Sequence, residues 1–477
     1  MRKQIQYIIF FTIIISLIFI FSNNTLASYT LKGIENFPAS YKPYLYELNK
    51  HYPNWEFTAL YTEIDFNYAV STQYKNGRAL VPKNYSDSWK CLDTGIYNVE
   101  IDAGWVNASE TAIKYVMDPR NFLNEVRMFK FEKLSYDTNT NTKLGVEKIL
   151  YGTEFYNRTV SYKNAEGSTI NMQEKYSDLI WDAAIYSGVS PYHLASRIKQ
   201  EVGPFVTHLS ISGNVSGYER LYNFYNIGAT SDSDHLQVIK NGLEYAKNGK
   251  GASDTVKQNQ LIPWNTPARA ITGGGVFIGS KYINVGQNNL YLQKFAVDNN
   301  YPENIFWHQY MTNILAPYNE AKSIHTAYNS NDMLNSSIGF VIPVFNNMPK
   351  YMYENPNIIQ SDYTEDNKKV YADVTNTLNL RNGPGTSYEV VANIPRNTQM
   401  TRIKKGVGAG ERWDKVELSN GLVRICISNL YKRRANYNPR RGRYNSSRRT
   451  DWATKGGWRN WGKTKYKWKW NNRNKYK

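Results

Sequence analysis

Cysteine is nearly absent. The 477 residues contain only Cys91 and Cys426, which excludes a disulfide scaffold and leaves the fold to be held by packing. Long apolar runs are also scarce. After the run from Tyr7 to Phe21 no second one appears, so no stable membrane span is expected in the mature chain. Metal-ligand spacing is missing too: His193, His208, His235 and His308 stand in no such pattern with acids, and neither a metal nor a cofactor is expected. Gly273-Gly274-Gly275 is not followed by Lys-Ser/Thr, which excludes a phosphate loop and leaves close helix packing or a bend. Acids are missing from one region only. From Arg424 to Lys477 there are 18 Lys+Arg and the single acid Asp451, so the formal +18 of the chain falls to +1 over residues 1–423. The body is neutral, which removes the charge argument for a nucleic-acid partner. At 41% hydrophobic and 14% aromatic, the chain is neither disordered throughout nor collagen-like.

The order of segments predicts several domains. Arg2 and Lys3 before the apolar run, with Thr25 and Ala27 after it, read as a signal peptide over 1–27. The run is about 15 residues, short of the roughly 20 that cross a bilayer. Export to the cell wall follows as an expectation. Residues 28–165 read as an amino-terminal accessory region, with helices expected at Ala108–Val116 and Pro119–Lys130 and a polar break at Thr138–Thr142. A helical region spans 170–325. Tyr176, Leu179, Ile180 and Ala183 recur at helical spacing before Gly188, and Ser190-Pro191 opens the next helix. Further helices are expected at 264–284, 291–298 and 303–325. Residues 326–370 read as a linker. From 371 to 430, short apolar runs at Val390–Ile394, Met400–Ile403 and Val416–Leu418, with a turn at Ser419-Asn420-Gly421, predict a small β-barrel. Residues 431–477 form a basic tail.

One helix carries a candidate for chemistry. With Leu194 at 0° and 100° per residue, Ile198 falls at about 40°, Val202 at about 80° and Glu201 at about −20°. Glu201 is thereby expected on the apolar face, just before Gly203-Pro204. A carboxyl held among apolar neighbours keeps its proton more readily, which suits a general acid near neutral pH. The structural alternative is an ordinary ion pair with Arg197 one turn back. Glu219, Asp232 and Asp234 follow in the loop region as candidate second carboxylates, Glu219 first among them. Tyr222, Tyr225, Asn226, Trp264 and Tyr282 are candidate ligand contacts, which the family resemblance given next makes candidate glycan contacts: aromatic faces stack on sugars and an amide both donates and accepts. For each aromatic taken alone, core packing is the competing role.

The string HLASRIKQEVGP, from His193 to Pro204, resembles the catalytic helix of glycoside hydrolase family 73. In family order follow YNFYNIGA (Tyr222–Ala229), PWNTPARAITGGGVFIGSKY (Pro263–Tyr282), QNNLY (Gln287–Tyr291) and His308-Gln309-Tyr310. The resemblance implies a mainly α-helical, lysozyme-like (α+β) catalytic domain. It implies an endo-β-N-acetylglucosaminidase acting on peptidoglycan glycan strands, with Glu201 as catalytic acid. A muramidase or lytic transglycosylase on the same scaffold, or a non-catalytic wall-binding protein, are the competing expectations. Retention, inversion and substrate assistance stay open.

LNLRNGPGTSYEVVANIP, from Leu378 to Pro395, with the Trp413–Leu418 strand, resembles a bacterial SH3-type domain, which implies an SH3-like barrel that binds wall peptides. That family closes with Gly-Tyr-Val after its Asn-Gly turn, where this chain has Arg424-Ile425-Cys426-Ile427. Back-translated with A/T-rich codons, these four residues can be written AGG ATA TGT ATT, and that string read one base later gives GGA TAT GTA TT, which restores Gly-Tyr-Val. A one-base insertion near codon 424 is therefore expected to underlie residues 424–477, and the last strand to be unstable as written. The competing expectation is a true basic, Trp-rich tail that meets anionic polymers.

Overall fold

The computed structural model describes residues 33–93, 100–230, 233–358, 364–407, 413–427 and 431–433. The signal segment 1–27 and the tail beyond 433 lie outside the described residues. All described residues fall in one of two units, Met1–Arg433.

Strand Trp55–Asp65 pairs in parallel with strand Ile338–Asn346, in register from Trp55↔Ile338 to Tyr61↔Val344. A parallel pair needs a long crossover, and here the helical part of the chain supplies it. Trp55, Phe57, Phe129 and Phe340 pack around the pair, and the Trp55 indole donates to the Leu334 carbonyl at 2.9 Å. Residues 326–346 are thus part of the fold, not the start of a linker. The expected boundary at 165–170 also moves. It falls in the turn of a hairpin, Thr159–Lys163 with Thr169–Lys175, closed at Gly167 with φ 78°.

Helix Tyr176–Ser187 ends at Gly188 in the left-handed region, as its spacing predicts. Helix Pro191–Val202 starts with Pro in its first turn, but Ser190 gives no capping bond and its hydroxyl is buried without a partner. Helix Pro267–Lys281 packs on Tyr176–Ser187. Its three glycines make room for three neighbours: a Cβ on Gly273 would strike the Gln260 carbonyl and the Trp264 indole, on Gly274 the Tyr225 ring, and on Gly275 Ser187 Oγ at 3.1 Å. Two expected helices are corrected. Pro119–Lys130 is not one helix but two 3-10 turns, Pro119–Phe122 and Arg127–Phe131. Arg120 folds back onto Asp118 at 2.8 Å and donates to the Pro349 carbonyl, ties that do not continue a helix. The last helix is Ala316–Ser330 rather than 303–325.

The described part of 28–165 does not form a separate accessory layer. Helix Lys143–Leu150, capped by Thr142, packs on both Tyr176–Ser187 and Pro191–Val202. Tyr192 reaches Thr142 N at 3.0 Å, and Lys199 Nζ donates to the Ile149 carbonyl at 3.1 Å. Glu154 bonds across to Pro204 and Val206. The helix that carries Glu201 is therefore held along its length by this region.

The carboxyl-terminal strands form an antiparallel sheet in the order Val390–Pro395, Thr377–Arg381, Val423–Ile427, Trp413–Leu418, Gln399–Val407, Thr364–Ala372, Tyr431–Arg433. Arg381 donates to the Thr386 and Tyr388 carbonyls, and Gly383 leaves space for the Tyr388 ring. The sheet meets the rest of the unit through Arg127–Glu389 at 2.9 Å. Val423–Ile427 pairs along Trp413–Glu417. The cost of the altered motif is local. Arg424 is buried, its guanidinium 4.1 Å over the Tyr44 ring, and its Nε makes no hydrogen bond. Burial pushes that guanidinium down from its ordinary value.

Glu132 gives the core a pH dependence. It is buried, accepts from the Tyr328 hydroxyl at 2.6 Å, and burial pushes its carboxyl from 4.5 to about 7. The folded state therefore holds this proton over a window in which the unfolded state has lost it. Stability from Glu132 is complete below about 4.5 and is lost as pH rises to about 7, a loss of about 3 kcal/mol. Glu132→Gln should remove that decline, so the difference in Tm between variant and parent widens from pH 4.5 to 7 and then stays level. A constant difference across that range would contradict the assignment.

Candidate active site

Helix Pro191–Val202 buries Leu194, Ala195, Ile198 and Val202. This buried arc runs clockwise from Leu194, and Glu201 falls just outside it. His193, Arg197 and Glu201, four residues apart, form a stripe along that edge. The Glu201 carboxylate is 25% exposed and pairs with Arg197 at 3.0 Å. The apolar surroundings expected for it are not what the structure shows. The ion pair of the structural alternative is present, at the rim rather than in the core.

Arg197 is the electrostatic centre of this edge. Its Nη1 donates to Gln200 Oε1 at 3.3 Å. Burial pushes the His193 imidazole down to about 3, with the Arg197 charge adding to the effect, so His193 is neutral at ordinary pH. Glu320, on helix Ala316–Ser330, is half-buried. Burial raises its carboxyl above the ordinary value, and the Arg197 guanidinium opposes that rise. Sequence reasoning did not single out Glu320. It stands in NEAKSIH without a motif, and only the packing of the last helix brings it into the field of Arg197.

The Tyr222–Ala229 turn closes on the end of this helix. Asn226, at φ 49°, donates its amide to the Glu201 carbonyl at 2.7 Å. It satisfies a helix-terminal carbonyl that has no intrahelical partner and fixes the backbone of Glu201. Asn226 and Glu201 are thus brought together, with the amide engaged in the protein itself.

Three of the four aromatic candidates are core residues. Trp264 is fully buried and donates to the Gln260 carbonyl at 2.7 Å. Tyr225 is buried and donates to the Ile271 carbonyl. Tyr222 is buried against Gly213. None presents a face to a sugar, and the expectation of glycan contact at these three is corrected. Tyr282 differs. It is half-buried, stacks on His308 with centroids 4.8 Å apart, and meets the exposed Tyr310 edge-on at 5.1 Å. Gln287 holds His308 Nδ1 at 2.5 Å. Trp307, 79% exposed, carries Arg78 over its ring. These rings offer the stacking surface that the buried three cannot.

The second carboxylate is corrected as well. Glu219 is exposed and accepts from Gly217 N at 3.1 Å, and its carboxyl is held below its ordinary value by backbone N–H groups, its own first. It is a solvated loop acid. Asp234 caps helix His235–Asn248 through Leu236 N, and Asp232 lies outside the described residues. Among the described residues, no group of three His, Cys, Asp or Glu side chains is placed to hold a metal ion. No described helix is long and apolar enough to cross a membrane.

No protein-family model matches the chain. In sequence it is 26% identical over 218 residues to a bifunctional autolysin of Staphylococcus epidermidis, covering 44% of this chain and 13% of the relative. It is 26% identical over 233 residues to a β-N-acetylglucosaminidase of Bacillus subtilis strain 168, covering 48% of this chain and 22% of the relative. The chain therefore spans less than a quarter of the length of either. Among solved structures, that of S. aureus glucosaminidase B is 24% identical, with a TM-score of 0.40 over 62% of this chain and 96% of that one. Across a little under half of its length, this chain is similar in sequence to a bacterial autolysin and a bacterial β-N-acetylglucosaminidase.

Proposed function

We propose that this chain is an exported peptidoglycan hydrolase that cleaves the β-1,4 bond after N-acetylglucosamine, with Glu201 as general acid. The observation that carries the proposal is the placement of Glu201. Its carboxylate stands at the rim, one turn from Arg197, while Asn226 fixes its backbone. In its protonated form Glu201 gives its proton to the glycosidic oxygen as the bond to carbon 1 breaks, and the carboxylate left behind pairs with Arg197. The exposed Glu219 has no part in this protonation. The surface of Tyr282, His308 and Tyr310 offers rings for sugars away from the cleaved bond. The similarity to a β-N-acetylglucosaminidase supports the substrate class. The lysozyme-like architecture, the export step and the wall-peptide role of an SH3-like barrel over 371–430 belong to the same proposal. Incubation with purified wall should lower its turbidity and create new reducing ends. A chain that binds wall and releases none would contradict it.

A further inference from the structure

A second cleft lies apart from the Glu201 helix. It has a volume of about 470 Å³, in the range of small-ligand sites. Its wall is aromatic: Tyr85, Trp89, Tyr115 and Tyr318, with Leu315 beside them. Trp89 meets Tyr85 and Tyr115 edge-on, each at 5.9 Å, which sets the rings at fixed angles. Tyr85 and Asn357 are exposed at the rim, while Trp89, Tyr115 and Leu315 are buried below.

Asn357 is oriented without ambiguity. Its Oδ1 accepts from Ser86 Oγ at 2.6 Å, Ser88 Oγ at 3.2 Å and the Trp89 indole at 3.1 Å. Three donors on one oxygen fix the amide, so its NH₂ group is the end left to donate. No charged side chain lines the cleft. Ring faces together with an amide donor and hydroxyls, and no charge, match a neutral sugar better than an anion or a basic peptide.

We propose that this cleft binds an N-acetylated amino sugar of wall glycan, with Tyr85 stacking on the ring and the Asn357 amide donating to an acetamido or hydroxyl oxygen. The assignment rests on the peptidoglycan substrate proposed above. It adds a second holding point on the same polymer, which raises the local concentration of glycan at the Glu201 edge.

The test uses the full chain carrying Glu201→Gln and glycan strands stripped of their stem peptides. Tyr85→Ala should raise the concentration for half-saturation about tenfold with Tm unchanged, and Asn357→Ala should raise it several-fold with a lower Tm, because the buried Trp89 indole loses its acceptor. With Glu201 intact, Tyr85→Ala should leave kcat on short soluble glycans unaltered. Unchanged glycan binding in both variants would overturn the assignment. So would a loss of binding to isolated stem peptides with glycan binding intact, which would make this a peptide site. If the chain with Tyr85 and Glu201 intact releases no reducing ends from wall, the proposed hydrolase fails on a separate readout.

Discussion

Glu201→Gln lowers turnover on purified cell wall by about 10² to 10⁴, the range that a positioned proton donor contributes. The variant keeps its fold, because an amide oxygen can still accept from Arg197. The lost ion pair lies at the rim, where such pairs are worth about 0.3–0.5 kcal/mol. Tm and wall binding therefore stay close to those of the parent while clearing of a wall-containing gel disappears. This combination separates chemistry from adhesion. Unchanged clearing would remove Glu201 from the mechanism and leave the Arg197–Glu201 pair as a stabilising feature of the helix.

Gly273→Ala destabilises the chain by about 3 kcal/mol. Helix propensity alone argues the other way, since Ala is favoured over Gly in a helix interior by about 1 kcal/mol. Sterics decide the sign. The added methyl would meet the Gln260 carbonyl, which is backbone, and the Trp264 indole that donates to that same carbonyl at 2.7 Å. Neither can move without breaking a buried hydrogen bond. The midpoint of denaturant unfolding should fall with its slope unchanged. A raised midpoint would show that the helix relaxes away from Gln260.

The helices Tyr176–Ser187 and Pro191–Val202, and the strands from Thr377 to Leu418, were legible because their signals are local. Spacing, Gly188, Pro191 and the Asn-Gly turn each act within a few residues. The pairing of Trp55–Asp65 with Ile338–Asn346 was not, since nothing in either segment names a partner so far along the chain. The aromatics of the site failed for a related reason. Motif order places Trp264, Tyr225 and Tyr282 near one another but does not say which is fully buried. The three adjacent glycines held that information: they admit Trp264 and Tyr225 into contact with helix Pro267–Lys281, whereas Tyr282 lies beyond its end. The helical wheel misplaced Glu201 by taking Leu194 as the centre of the buried arc, when Leu194 is its edge.

Arg424, where the chain departs from the SH3-type closing motif, sits buried over Tyr44; its Nη1 donates to the Val423 carbonyl at 2.9 Å while its Nε is unbonded. A cation in that place is costly. The strand still pairs, so its register alone does not reveal the cost.

The most direct test of the proposed reaction is the identity of the sugar left at each new chain end. Wall digested by this protein, reduced with borohydride and hydrolysed, should yield glucosaminitol in proportion to the bonds cut. Muramitol, or anhydro ends that resist reduction, would contradict cleavage after N-acetylglucosamine.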